Sequence, residues 1–172
     1  GVGRMKSKNY VMIMSVHNGV STEFHLIDAK KPTNDPKVFL PRKKGHEYLI
    51  ENIDKKFIIK TNINNAPNYK IMECSIENTS NPGLWKEIIP HQNDVFIENF
   101  EVFKNYLVIN ERKNGLPTIK IIDQRNQKKH NVSFKDPAYD AYLGINKNFN
   151  TDILRFGYTS LTTPNSTFDY NM

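Results

Sequence analysis

Short apolar, β-branched and aromatic runs recur along the chain between turns rich in Asn, Pro, Gly and Lys, while helical periodicity is scarce. That pattern predicts strands nearly everywhere. In the first half the runs cover Tyr10 to Val16, Glu23 to Ala29, Lys37 to Pro41, Glu47 to Ile53, Phe57 to Thr61, Tyr69 to Ile76 and Trp85 to Pro90. In the second half they cover Phe96 to Val102, Tyr106 to Glu111, Thr118 to Asp123, His130 to Phe134, Tyr139 to Ile145, Ile153 to Ser160 and Ser166 to Tyr170.

Aligned by character, the runs repeat. Those resembling a second strand begin at Tyr10, Phe57, Tyr106 and Leu154, spaced 47, 49 and 48 residues apart; third strands begin near Glu23, Tyr69, Thr118 and Ser166, spaced 46, 49 and 48. A period in the high forties with four strands per unit is the signature of β-propeller blades, each a twisted four-stranded meander packed on its neighbours. A β-sandwich also has evenly spaced strands, but it does not need the same four-run order to recur at this period. The expected fold is all-β, a partial β-propeller of about three to four four-stranded antiparallel blades, over roughly 1–45, 46–92, 93–136 and an incomplete 137–172. In this phasing the first unit opens at its second strand and the last stops at its third, which is how a fragment of a larger protein looks.

A chain of 172 residues is about one domain long and can bury a real core. With 38% hydrophobic and 11% aromatic residues it is a folding chain. The net charge of +6 permits attraction to nucleic acid, but the basic clusters are short and dispersed: Lys30 and Lys31, Arg42 to Lys44, Lys55 and Lys56, Lys128 and Lys129. Each lies at or near a predicted turn, where lysines solvate loops and blunt sheet edges, so no nucleic-acid partner is expected. No run approaches the ~18 apolar residues needed to span a bilayer, and the basic start lacks an apolar leader core, so neither a membrane association nor export is expected and the expected location is cytoplasmic. The Asn-x-Ser/Thr triplets at Asn78, Asn131 and Asn165 are then chance matches in an Asn-rich chain. Cys74, between Met72 and Ile76, reads as a small buried hydrophobe.

Candidate chemistry thins out on inspection. Ser7, Ser21, Ser133, Ser160 and Ser166 sit at predicted turns or strand ends, and none has the G-x-S-x-G context of a nucleophile elbow. His46 and Glu47 begin like a zinc-protease motif, but Ile50 stands where the second histidine belongs. The other histidines, His17, His25, His91 and His130, are dispersed, and there is no phosphate loop, dinucleotide fingerprint or calcium loop. Glu111 and Arg112, before the Asn114-Gly115 turn, read as a strand-end ion pair ahead of a substrate clamp. Trp85, Phe96, Phe100 and Phe103 read as filling between blades. The sequence therefore assigns no catalytic, cofactor-binding or metal-binding residue and no cofactor.

Several phrases, taken together and in order from about Ser7 to Met172, carry a resemblance. They are Pro41-Arg42-Lys43-Lys44-Gly45-His46-Glu47-Tyr48, Lys60-Thr61-Asn62 with Ala66-Pro67-Asn68-Tyr69, and Trp85-Lys86-Glu87-Ile88-Ile89-Pro90-His91. Glu111 to Pro117 and Leu154 to Pro164 complete the set. The chain resembles oligopeptidase B (protease II) enzymes of the prolyl oligopeptidase family of serine peptidases. That resemblance implies a seven-bladed propeller over the mouth of an α/β-hydrolase domain, the two together cleaving short peptides after Arg or Lys. The catalytic residues of such enzymes lie in the hydrolase domain, so none maps onto this chain. The implied role is a substrate-gating segment, non-catalytic by itself, whose partner is the peptidase domain of the parent and whose parent takes short basic peptides. Exposed strand edges imply self-association of the isolated piece. The alternatives are a free-standing propeller-like interaction module and, on net charge alone, a nucleic-acid binder whose affinity would fall steeply with salt.

Overall fold

The computed structural model describes residues 1–17 and 19–172. They form fifteen strands in four antiparallel sheets, each a simple meander with strand order following sequence order. The first sheet holds β1 (Val2–Arg4), β2 (Tyr10–His17), β3 (Ser21–Asp28) and β4 (Lys37–Val38). The second holds β5 (Tyr48–Ile53), β6 (Lys56–Thr61), β7 (Lys70–Ser75) and β8 (Lys86–Ile89). The third holds β9 (Val95–Val102), β10 (Tyr106–Lys113), β11 (Leu116–Asp123) and β12 (Lys129–Asn131). The fourth has three strands, β13 (Tyr139–Leu143), β14 (Ile153–Ser160) and β15 (Ser166–Asn171). This is the all-β succession of meanders that the repeat predicts. The contacts divide it into two compact units, Gly1–His91 with the first two sheets and Gln92–Met172 with the last two.

Local chemistry explains the turns. β10 and β11 are joined by Asn114 and Gly115 at φ 51° and 82°, the left-handed pair that a two-residue hairpin needs to match strand twist. Asp54, at φ 50°, opens the equally tight β5–β6 turn between the paired Ile53 and Lys56. Two 3-10 turns, Ile76–Asn78 and Pro82–Leu84, bridge β7 to β8, a detail the strand pattern did not foresee; the Asn81 side chain accepts from the Gly83 N–H to start the second.

In the first unit Phe24, Leu26, Phe39 and Leu40 of the first sheet and its exit meet Tyr48, Ile50, Phe57, Ile59, Met72, Cys74 and Trp85 of the second. Burying about twelve such side chains at roughly 1.5–3 kcal/mol each makes this contact the main stabilising term of the unit. Polar bonds fix its register. The Tyr48 N–H donates to Thr22 Oγ1 at 2.8 Å, and the Thr22 hydroxyl donates back to the Tyr48 carbonyl at 3.0 Å. In the second unit Phe103, Tyr106, Val108, Ile119, Ile121 and Val132 pack with Ala141, Leu154, Phe156 and Tyr158.

Several expectations need correction. The first sheet does have a first strand: Val2, Gly3 and Arg4 pair with Ile13, Met12 and Val11. An edge strand of three residues needs no apolar run, so nothing in the pattern announced it. Phe96 is 42% exposed and does not fill the core, because β9 points Val95 and Ile97 inward and the strand period sends Phe96 to the other face. β4 ends at Val38, three residues before the expected run does, because Phe39 and Leu40 leave the ladder to enter the core. Lys60 and Lys70, outside the four basic clusters, are buried at one end of the β6–β7 ladder, the first over the Tyr69 ring at 4.1 Å and the second 3.3 Å from Glu87.

Candidate functional site

Glu111 and Arg112 do not pair with each other. Neighbours on a strand point to opposite faces, and a register shift between Asn110 and Glu111 accentuates the divergence. Glu111, nearly buried, lies 2.6 Å from the Lys120 ammonium on the paired strand. Arg112 donates through Nε to Glu98 at 2.6 Å, through Nη1 to the Gly115 carbonyl at 2.9 Å and through Nη2 to Asp140 at 3.3 Å. The Glu98 bond, then the Asp140 bond, raises the Arg112 pKa, so the guanidinium is a permanent tie between the third and fourth sheets. Asn110 donates to the same Glu98 carboxylate, while its own Oδ1 is buried without a protein donor. Two cations tie three carboxylates across neighbouring strands here, and the bonds describe a structural clasp.

The second feature is an aromatic groove of ≈ 370 Å³ in the unit Gln92–Met172, lined by Phe134, Phe156, Tyr158, Phe168 and Tyr170, with Asp136 at its rim. Asp136 accepts the Tyr158 hydroxyl at 2.5 Å and the Thr162 hydroxyl at 3.3 Å. The Tyr158 bond first, then Ser160 and Thr162, holds the Asp136 carboxyl below its ordinary range, and the same bond raises the Tyr158 phenol. A carboxylate fully committed to hydroxyl donors orients a ring and is a poor general base. No residue pattern marked this groove in advance, since Phe134 follows β12 in irregular chain and the groove forms only when the strands pack.

Four of the five serines singled out in the sequence are engaged in structural hydrogen bonds. Ser7 donates to Asn52 at 2.9 Å, Ser21 accepts the Gly45 N–H at 3.0 Å, and Ser160 accepts the Thr162 and Thr163 amides. Ser166 donates to the Pro164 carbonyl at 2.7 Å. His46 is buried, stacked on Tyr48 with ring centroids 4.9 Å apart, and its Nε2 lies 2.8 Å from Thr61 Oγ1. Burial, then the nearby Lys43 charge, lowers its pKa and keeps the ring neutral. Cys74 is buried and burial pushes its thiol up to about 12. Among the described residues, no three His, Cys, Asp or Glu side chains are grouped to hold a metal ion.

The chain matches, over residues 1–172, the family described as the prolyl oligopeptidase N-terminal β-propeller domain. It belongs to the prolyl oligopeptidase family. The four sheets are blades of that family's propeller, and the chain is part of one such domain. It is 34% identical to dipeptidyl aminopeptidase BI of Pseudoxanthomonas mexicana over 99% of its own length and 23% of that protein's. Protease 2 of Moraxella lacunata is 22% identical over 99% of this chain and 24% of its own. Among solved structures, oligopeptidase B from Leishmania major superposes with a TM-score of 0.89 at 25% identity, covering 99% of this chain and 25% of that one. Oligopeptidase B from Trypanosoma brucei, in a closed form with covalently bound antipain, superposes at 0.88 with the same identity and coverage. The chain thus spans about a quarter of the length of these prolyl oligopeptidase relatives.

Proposed function

We propose that this chain is the substrate-gating propeller segment of a serine-type, oligopeptidase B-like endopeptidase that works in the cytoplasm and cleaves short peptides after Arg or Lys. The observation that carries the reading is the superposition of 99% of the chain on two oligopeptidases B at TM-scores of 0.88 and 0.89. In this reading the nucleophile, its base and the specificity carboxylates belong to an α/β-hydrolase domain of the longer polypeptide. The propeller admits short or flexible peptides and excludes folded proteins by its size and by relative domain motion. The isolated chain self-associates through the edge of β15, which among the described residues is paired only to β14.

The 34% identity to a dipeptidyl aminopeptidase favours a second reading, in which the parent releases dipeptides from a free amino terminus. One assay on the full-length gene product separates the two. Turnover of an N-terminally blocked peptide with an internal Arg or Lys supports the endopeptidase; turnover only of peptides with a free amino terminus, two residues at a time, supports the second reading. Absence of peptide hydrolysis in both formats sinks the peptidase assignment. Hydrolysis of either substrate by the purified 172-residue chain overturns its non-catalytic role.

A further inference from the structure

Tyr48 and Thr61 pair at one end of the β5–β6 ladder, and the segments 42–47 and 62–69 leave the second sheet together at that end. Hydrogen bonds pin the two segments to each other. The Asn62 N–H donates to the Glu47 carbonyl at 3.2 Å, its side-chain oxygen accepts the Glu47 N–H at 2.9 Å, and its side-chain nitrogen donates to the Gly45 carbonyl at 2.9 Å. The turn beyond closes on itself: the Ala66 N–H donates to the Asn62 carbonyl at 3.2 Å, with Asn64 and Asn65 both at φ 57°. Tyr69, a bulky residue at φ 63°, donates its hydroxyl to Glu47 at 3.3 Å. A loop held at this many points is a preformed wall. It bounds a hollow of ≈ 350 Å³ lined by Lys43, Lys44, His46, Asn62, Asn64 and Asn65, with no carboxylate in the lining.

Cations that line other hollows of the chain come with a carboxylate: Lys56 lies 2.8 Å from Glu73, and Arg155 lies 2.8 Å from Asp169. Here the carboxylate next in sequence, Glu47, takes the Tyr69 hydroxyl and lines a different hollow with Lys60. Among the described residues, no hydrogen bond or ion pair holds the side chains of Lys43, Lys44, Asn64 or Asn65. Burial, then the Lys43 charge, lowers the pKa of His46, so the field at this buried ring is positive. We infer that this hollow is an oxyanion site, which takes a phosphate or carboxylate group of a bound molecule between the ammonium groups of Lys43 and Lys44 and the side-chain amides of Asn64 and Asn65. Neighbouring lysines repel each other, and a shared anion removes that repulsion. Amide donors on a rigid loop add bonds at little ordering cost. Solvation of a turn accounts for exposed lysines, but not for a polar wall pinned around them. The site does not depend on which peptides the longer polypeptide cleaves.

NMR of the full-length gene product, isotope-labelled in its histidine rings, tests this. The His46 signal is assigned by its loss in His46→Asn. At constant ionic strength held with sodium chloride, inorganic phosphate or triglycine is expected to shift that signal to saturation. Lys43→Gln with Lys44→Gln is expected to weaken the binding about tenfold, and Lys43→Arg with Lys44→Arg to keep it. Two arms distinguish the sources of the anion. Saturation by triglycine but not by triglycine amide or phosphate supports the site as one for a peptide carboxyl terminus; saturation by phosphate alone supports it as one for a phosphorylated ligand. A shift that never saturates, one that the paired Gln changes leave intact, or equal binding of triglycine amide overturns the inference. So does the absence of any shift, which assigns the two lysines to solvent or to an acidic segment of the same polypeptide.

Discussion

The hydroxyl of Tyr48, on the first strand of the second sheet, accepts the backbone N–H of Phe24, on the third strand of the first, at 3.1 Å, and donates to the Leu40 carbonyl at 2.9 Å. The two rings also touch, with centroids 5.3 Å apart. One side chain thus contributes apolar area and closes two backbone groups that packing would otherwise leave unpaired. Burial pushes its phenol up to about 12, so it stays protonated and able to donate through neutral pH. Tyr48→Phe keeps the ring and strands both groups. It is expected to lower unfolding stability by about 1–3 kcal/mol, with Thr22→Val additive only in part because both residues serve the same junction. Urea unfolding of the single and double variants measures this.

Glu111→Gln leaves the Lys120 ammonium, three-quarters buried, without its counter-charge. The expected loss is about 2 kcal/mol, below the range for fully buried pairs because Lys120 keeps some solvent contact. The double variant Glu111→Gln with Lys120→Met is expected to recover most of it. A double variant as unstable as the single one would show that the cost comes from packing and not from charge.

His46 is held neutral by burial and by Lys43, so its folded pKa lies below the ordinary 6.5 while the unfolded one does not. The unfolded chain therefore binds the extra proton first as pH falls. The stability contribution is complete above pH 6.5 and is lost as pH falls through 6.5 toward the folded pKa. His46→Asn is expected to flatten the stability profile in that window, as read by thermal unfolding at pH 5 to 8.

Cys74 combines burial with a thiol pushed up to about 12, so the native chain is expected to resist a thiolate-selective reagent near neutral pH and to react stoichiometrically after denaturation. Thiol titration with and without denaturant reads the difference.

Gly157 faces the Tyr142 ring so closely that a Cβ there would lie 2.2 Å from it. Tyr142 is 43% exposed and can swing away, but it then gives up its bond to Asn165. Gly157→Ala is expected to cost about 0.5–1.5 kcal/mol and to free the Tyr142 ring, which its fluorescence and ring-proton shifts report.

Most of the strands, their four-run period and the family were legible in the chain, because alternation and turn chemistry are local and repeat once per blade. The sequence also placed the lysines of the turns and the burial of Cys74. What it could not decide were relations set by the partner strand. Val2–Arg4 becomes a strand because β2 offers it an edge, and Glu111 and Arg112 part company because the pleat sends them to opposite faces and the facing strands supply Lys120, Glu98 and Asp140. The groove around Phe168 exists only after Phe134, Phe156 and Tyr158, distant in sequence, have packed. Tertiary structure alone chose these, because a side chain's surroundings depend on which sheet closes over it, and no window of neighbouring residues contains that sheet.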